Sequence, residues 1–219
     1  MIPPETFFER FIRLQYGIAG EGAGTDGYVS QLNRDVKGGS GNGVCDKRWP
    51  NWPFKEKPDH VYLRLERWGQ TLLHRISPDG ESWVSVGGAG LAGLPSKLKV
   101  GLIACSTSSE PSKVRFDQIK LTRGNKRERW EFVSGWGKPI DPDKDCKIQR
   151  DKDTLAIEIP GKDHDYDPVR KHFNAPRLLS DLDGNFDLQV RVRIDSRPSA
   201  QSTVEGQPSY TSAGFLVIV

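Results

Sequence analysis

Between His60 and Ser77 the chain reads HVYLRLERWGQTLLHRIS, and this stretch constrains the fold more than any other. Val61, Leu63 and Leu65 alternate with Tyr62, Arg64 and Glu66, a period of two that sends the two sets to opposite faces of an extended strand. The Trp68-Gly69 step predicts a turn, and the residues after it a second strand running back. The same grammar recurs along the chain. ERFIRLQY sets Phe11, Arg13 and Gln15 against Ile12, Leu14 and Tyr16, and SPDGESW is a Pro-Asp-Gly turn leading into SWVSV. LKVGLIACSTS, KVRFDQIKLT, RWEFVSGW, CKIQRD, TLAIEIP and FDLQVRVRID follow, and Phe215 to Val219 is an unbroken apolar run of the kind found in buried strands. Helical periodicity is almost absent. More than ten such segments in 219 residues predict an all-β chain, with two antiparallel sheets stacked as a sandwich or jelly roll rather than closed as a small barrel.

Residues 17 to 60 break the pattern. GIAGEGAGTDG and VKGGSGNGVCDKRWPNWPFKEKPD are rich in Gly and Pro, and are expected to form long binding loops or excursions. Trp49, Trp52 and Phe54 fall in this region, where aromatic rings either stack on a ligand or fasten the loop to the sandwich.

Composition narrows the classes. Hydrophobic residues make up 35%, and no apolar stretch approaches the roughly 20 residues of a spanning helix. MIPPETFFERF lacks the basic, apolar and small-residue layout of a secretory signal, so no membrane association is expected. Cys45, Cys105 and Cys146 are an odd number at wide spacing and fit neither a disulfide framework nor a zinc pattern. That makes a reducing cytoplasm the expected setting, with one disulfide and one free thiol as the alternative. The net charge is +3, from 32 basic and 29 acidic residues. The densest basic run, TRGNKRER, reads as a solvated linker between strands rather than a nucleic-acid patch.

Three stretches carry candidate chemistry. DPDKDC places Asp141, Asp143 and Asp145 at alternate positions, as in the opening of a calcium loop, without that loop's Gly and distal Glu. GKDHDYDP repeats the theme with Asp163, Asp165 and Asp167 around His164. Either set offers oxygens to Ca²⁺, and either also serves as Asx-turns at strand ends. HDYDPVRKHFNAPRLL gathers His164, Asp165, Tyr166, Arg170, Asn174 and Arg177 in or beside one loop, where they can exchange hydrogen bonds with sugar hydroxyls and Tyr166 can stack. The competing reading is a structural corner with Arg177 bridging to an Asp. No strand carries paired carboxylates at the spacing of a sandwich-fold glycosidase, and no nucleophile elbow or phosphate loop occurs.

Taken as a set, GWGKPIDPDKDC, AIEIPGKDHDYDP, NAPRLL and DGNFDLQVRVRID resemble the opening half of the concanavalin A-like, regulation-of-enolase-type domains, a bacterial family. YLRLERWGQTLLHRISPDGESW, VGLIACSTS and VRFDQIKLT are similar to that family's closing half, so the halves stand in reversed order. The resemblance implies one concanavalin A-like jelly roll over residues 1–219, circularly permuted. Residues 5–122 match the second half, 123–129 are the linker, and 130–219 match the first half. In space, FLVIV is then expected to lie antiparallel beside ERFIRLQY. A chain drawn from halves of two tandem repeats carries the same strands and could exchange them with a neighbour, so an oligomer is one expectation. For function, the resemblance implies a non-catalytic, lectin-like carbohydrate-binding module. Its ligand set is His164, Asp165, Tyr166, Asn174, Arg177, Trp49 and Trp52, with Ca²⁺ at Asp141, Asp143 and Asp145. A glycan-active enzyme using His164 and Asp165 as acid and base, and an assembly domain without a small ligand, are the alternatives.

Overall fold

A computed structural model of the chain describes residues 10–20, 28–35, 43–48, 59–90, 93–123, 126–128, 139–167, 170 and 172–219; for 10, 28–35, 43–48, 89 and 126–128 it describes the backbone alone. Among these residues every regular element is a strand, and there is no helix long and apolar enough to cross a membrane. One sheet has seven strands in the order β10 (Pro139–Ile140), β15 (Arg177–Asp183), β7 (Lys97–Ser106), β17 (Tyr210–Ile218), β1 (Arg10–Ala19), β2 (Tyr28–Asp35) and β3 (Gly43–Arg48). The other runs β11 (Lys147–Asp151), β12 (Thr154–Ile159), β8 (Ser112–Arg123), β16 (Phe186–Ile194), β4 (His60–Trp68), β5 (Thr71–Ser77) and β6 (Val84–Gly90), with β9 (Lys126–Glu128) hydrogen-bonded to β8 as its eighth strand. A small hairpin pairs β13 (Tyr166–Asp167) with β14 (His172–Phe173). The two large sheets are antiparallel and stack as a jelly-roll sandwich, as the alternation predicts.

The eight-stranded sheet follows the period of two closely. In β16, Phe186, Leu188, Val190, Val192 and Ile194 are buried, while Asp187, Gln189, Arg191 and Arg193 face outward. In β4, Val61, Leu63 and Leu65 enter the core, and the β4–β5 hairpin turns at Gly69, whose φ of 56° suits a residue without a Cβ. Outward charges are matched across strands. Arg191 meets Asp117 at 2.6 Å, Arg64 meets Asp187 at 2.6 Å, and Arg75 meets Glu66 at 3.2 Å.

In the seven-stranded sheet the period fails, for a definite reason. Phe215 and Val217 of β17 enter the main core, which holds side chains of both sheets, but Leu216 and Ile218 on the opposite face are buried too. They pack with Phe11, Ile103, Cys105, Tyr166 and Ala175 in a second apolar cluster on the outer side of the sheet. A strand buried on both faces has no reason to alternate, which is why Phe215 to Val219 is apolar throughout. Beside it, β1 pairs with β17 antiparallel from Phe11↔Ile218 to Ala19↔Tyr210, the adjacency the resemblance implies. Gly214 lies opposite Gln15 in this pairing, and a Cβ there would collide with the Leu14 carbonyl oxygen.

Two stretches depart from expectation. The Gly-rich segment after residue 17 holds the end of β1 and also β2 and β3, which extend the sheet to its edge. Ser30, Gln31 and Asn33 dilute the apolar alternation there, so periodicity alone misses these strands. Trp49, Trp52 and Phe54 lie outside the described residues, as does RWEFVSGW. The basic run read as a linker folds back in part, with β9 pairing Leu121↔Glu128, Thr122↔Arg127 and Arg123↔Lys126.

One polar side chain sits in the main core without a partner. His74 of β5, opposite Leu65 of β4, is fully buried, and neither ring nitrogen has a hydrogen-bond partner among the described residues. Burial pushes its pKa down to about 4, so the ring is neutral in the folded protein at neutral pH.

Two outcomes follow. Gly214→Ala should lower stability by about 1–3 kcal/mol, the usual range for overpacking, read as a lower urea midpoint at an unchanged slope. Because the folded-state pKa of His74 lies below the ordinary value of 6.5, the unfolded chain takes up this proton first as pH falls. Its contribution is present above pH 6.5 and should fade toward pH 4, by up to about 3 kcal/mol. In His74→Leu that part of the pH dependence should vanish; an identical stability profile in both proteins from pH 7 to pH 5 would contradict the assignment.

Candidate functional site

The chain between β12 and β15 leaves one sheet, crosses the outer face of the other and supplies the cover that β17 and β1 require. Backbone bonds fix it at both ends. Ser106 and His164 exchange N–H···O bonds of 2.8 Å, Ala175 N donates to Asp165 O at 3.1 Å, and Ala104 N to Pro176 O at 3.1 Å. Aromatic packing holds the middle. Tyr166 is 1% exposed and meets Phe11 and Phe173 edge-on, with ring centroids 5.2 and 5.0 Å away. Arg177, also buried, sets its guanidinium carbon 5.4 Å from the Tyr166 ring centre and donates to the carbonyls of Phe173 and Ala175, both at 3.0 Å. Tyr166 therefore offers no open ring face, and Arg177 bridges two backbone carbonyls of the segment.

The carboxylates of GKDHDYDP converge on a cation from the same segment. Arg170 reaches Asp163 at 2.5 Å, Asp165 at 2.8 Å and Asp167 at 3.0 Å. Burial works to lower the Arg170 pKa, but the hydrogen bonds to Asp163 and Asp167 outweigh it and hold the value raised. Arg13 of β1 adds a second contact to Asp165 at 3.3 Å, and His172 a second contact to Asp163 at 2.8 Å. Asp165 also accepts the Tyr166 N–H at 2.7 Å, which closes it off from solvent. Asn174 acts as a hub. Its amide donates to Asp143 and to the Asp163 carbonyl, both at 2.7 Å, and its oxygen accepts the Asp165 N–H at 2.9 Å.

The three aspartates of DPDKDC are close in sequence but differ in engagement. Asp141 accepts the Cys146 N–H at 2.9 Å, an Asx-type cap; Asp143 receives Asn174; Asp145 pairs with Lys162 at 2.9 Å. What gathers beside them is a mixed group. The ligating atoms of Asp145, Cys146 and His164 lie within 4.8 Å of one another. Burial, then Asp141 and Asp145, push the Cys146 thiol pKa up, so the sulfur keeps its proton in the free protein. The cysteines' sequence spacing hides this group because only one of the three takes part. A hairpin reading could have found it, since pairing Lys147↔Glu158 sets the residues before β11 beside those after β12.

The outer face of the eight-stranded sheet carries a second set that the sequence reading did not single out. Lys120, Gln189, Arg64 and Arg75 form one row across β8, β16, β4 and β5. The Arg64 guanidinium lies 5.3 Å from the Trp83 ring centre, and Gln189 Nε2 has no hydrogen-bond partner among the described residues. Beyond the Arg191–Asp117 pair, Arg115 and Arg193 face each other and share Asp195. At the end of β4, Trp68 is 60% exposed.

Residues 41–124 match DUF1349, described as a protein of unknown function; this span holds β3 to β8. No curated protein matches the chain.

The Arg170 clamp makes a direct prediction. Arg170→Gln strips three carboxylates of their common cation and should destabilise by about 3 kcal/mol, seen as a drop in the urea midpoint. Adding Asp165→Asn should recover part of the loss, because the buried charge goes with its partner. An unchanged midpoint in the single variant would show the clamp to be a surface feature only.

Proposed function

We propose that this protein is a non-catalytic, lectin-like glycan-binding sandwich that takes its ligand on the outer face of the eight-stranded sheet. The observation that carries the reading is the row Lys120, Gln189, Arg64 and Arg75, with Trp83 against Arg64. Strand pairing fixes the spacing of these side chains, so little ordering is required on binding. Planar guanidinium groups suit paired oxygens, and an indole offers an apolar face to a sugar ring. Asp187 and Glu66 already hold Arg64, and Glu66 holds Arg75, so among the described residues Lys120 is the cation of this row left to favour a glycan bearing carboxylate or sulfate groups. The finer family reading, a concanavalin A-like jelly roll of the regulation-of-enolase type with permuted strand order, is part of the proposal. It is supported by the match of residues 41–124 and by the pairing of β17 with β1.

The segment around His164 contributes cover rather than catalysis in this reading. Asp165 lies between two guanidinium groups, and His164 is fully buried, so neither is offered to a substrate as acid or base.

Affinity electrophoresis in gels containing neutral or acidic polysaccharides tests the reading. An acidic polysaccharide should retard the protein, and salt should weaken the effect. Arg64→Gln and Trp83→Ala should each reduce affinity by about tenfold, the scale of one lost contact of ~1.4 kcal/mol. Absence of retardation by every polysaccharide at low salt would remove the proposal.

A further inference from the structure

We infer that Asp145, Cys146 and His164 form a site for a borderline transition-metal ion of the Zn²⁺ class, where the sequence pattern suggested Ca²⁺. Three observations converge. The first is donor chemistry. A thiol sulfur, an imidazole nitrogen and one carboxylate oxygen are the ligand types that Zn²⁺ takes, whereas Ca²⁺ takes six to eight oxygens.

The second is spacing. A tetrahedral ion at ~2.3 Å from sulfur and ~2.0–2.1 Å from nitrogen holds its ligand atoms roughly 3.3–3.6 Å apart. Here Cys146 Sγ lies 3.8 Å from Asp145 Oδ1, and His164 Nε2 lies 3.2 Å from the same oxygen. Cys146 Sγ lies 3.8 Å from Nδ1 of the same ring, and the three ligand atoms fall within 4.8 Å of one another.

The third is an unmet polar atom. His164 is 0% exposed, and its Nε2, although near Asp145, makes no hydrogen bond among the described residues. The other ring nitrogen, Nδ1, faces the Asn174 carbonyl at 3.5 Å, Cys146 Sγ at 3.8 Å and Asp143 at 3.9 Å. A proton on Nδ1 directed at the Asn174 carbonyl leaves the Nε2 lone pair opposed to a carboxylate oxygen. A cation between the two turns that opposition into coordination, and the backbone carbonyl then orients the ring from behind.

The surroundings favour a cation. Asp141, whose Oδ1 is buried without a hydrogen-bond partner among the described residues, and Asp143 add negative charge beside the group, while Lys162 holds the other oxygen of Asp145. As the ion enters, the Cys146 thiol gives up its proton to solvent and the thiolate binds. Asp141 or a water molecule is available for the fourth position.

The test uses the full chain, reduced and stripped with a chelator, then titrated with Co²⁺ and Zn²⁺. One Co²⁺ should bind per chain with a thiolate-to-metal charge-transfer band, and Zn²⁺ should displace it while excess Ca²⁺ does not. Cys146→Ser should abolish the band with the circular dichroism spectrum unchanged. Asp145→Asn, at an exposed position, should keep the band and weaken binding at least tenfold. Three results would overturn the inference: no stoichiometric metal, a band that survives Cys146→Ser and so reports another thiol, or displacement by Ca²⁺.

Discussion

Double-sided burial of β17 and its neighbours is the constraint from which the rest of the molecule follows. In a sandwich, one face of each sheet is covered by the other sheet, and the second face usually meets water. Here Leu216, Ile218, Ile103 and Phe11 make the second face of the seven-stranded sheet apolar as well. At about 1.5–3 kcal/mol for each large side chain removed from water, leaving that face open would forfeit a sum comparable to the whole stability of a domain. Something must lie over it, and the segment between β12 and β15 does so with Tyr166, Phe173 and Ala175.

A cover built from an irregular segment brings a second problem, because its backbone and its charges are buried without a ladder to satisfy them. The sequence meets this with a high density of short polar side chains. Asn174 uses both ends of its amide, Asp165 caps Tyr166 N, and Arg170 gathers three carboxylates. Asp163, Asp165 and Asp167 look in sequence like a cation site, and they are one, with the cation supplied by the chain itself. The residual imbalance is local. Among the described residues it includes Arg13 Nε, and also His164 Nε2 and Asp141 Oδ1, which lie beside a protonated thiol.

Most of the fold is legible in the sequence wherever one face of a strand meets solvent. Val61, Leu63 and Leu65 in β4 and the alternating residues of β16 declare their faces directly. Legibility drops where that contrast is lost. In β1, Arg13 and Gln15 read as a solvent-facing set, yet Gln15 is 2% exposed and Arg13 is covered, because the outer face lies under the crossing segment. The strands β2 and β3 escaped notice through diluted periodicity rather than through any contrary signal. Site residues were located by chemical richness, which marks a densely bonded segment but does not give the role of each residue. Tyr166 reads as a stacking face and packs as core, because nothing local in sequence announces that Phe11 will lie against it.

The two described thiols, Cys105 and Cys146, show why burial alone does not define a site. Cys105 is fully buried and accepts a contact from Gln15 Nε2 at 3.4 Å, and burial, with Asp165 adding to it, pushes its pKa up to about 12. Apolar neighbours of its cluster share the outer face of β7 with it, and the Arg13 cation offsets the charge of the nearby Asp165. Cys146 is only half-buried, and its raised pKa arises in part from carboxylates rather than from apolar walls alone. The same charges that keep a proton on that sulfur would hold a doubly charged ion there more strongly, since Coulomb attraction scales with the charge of the cation. The distinction between the two cysteines thus rests on what surrounds the sulfur. The surroundings are set by the β11–β12 hairpin, which returns the chain from Cys146 to His164.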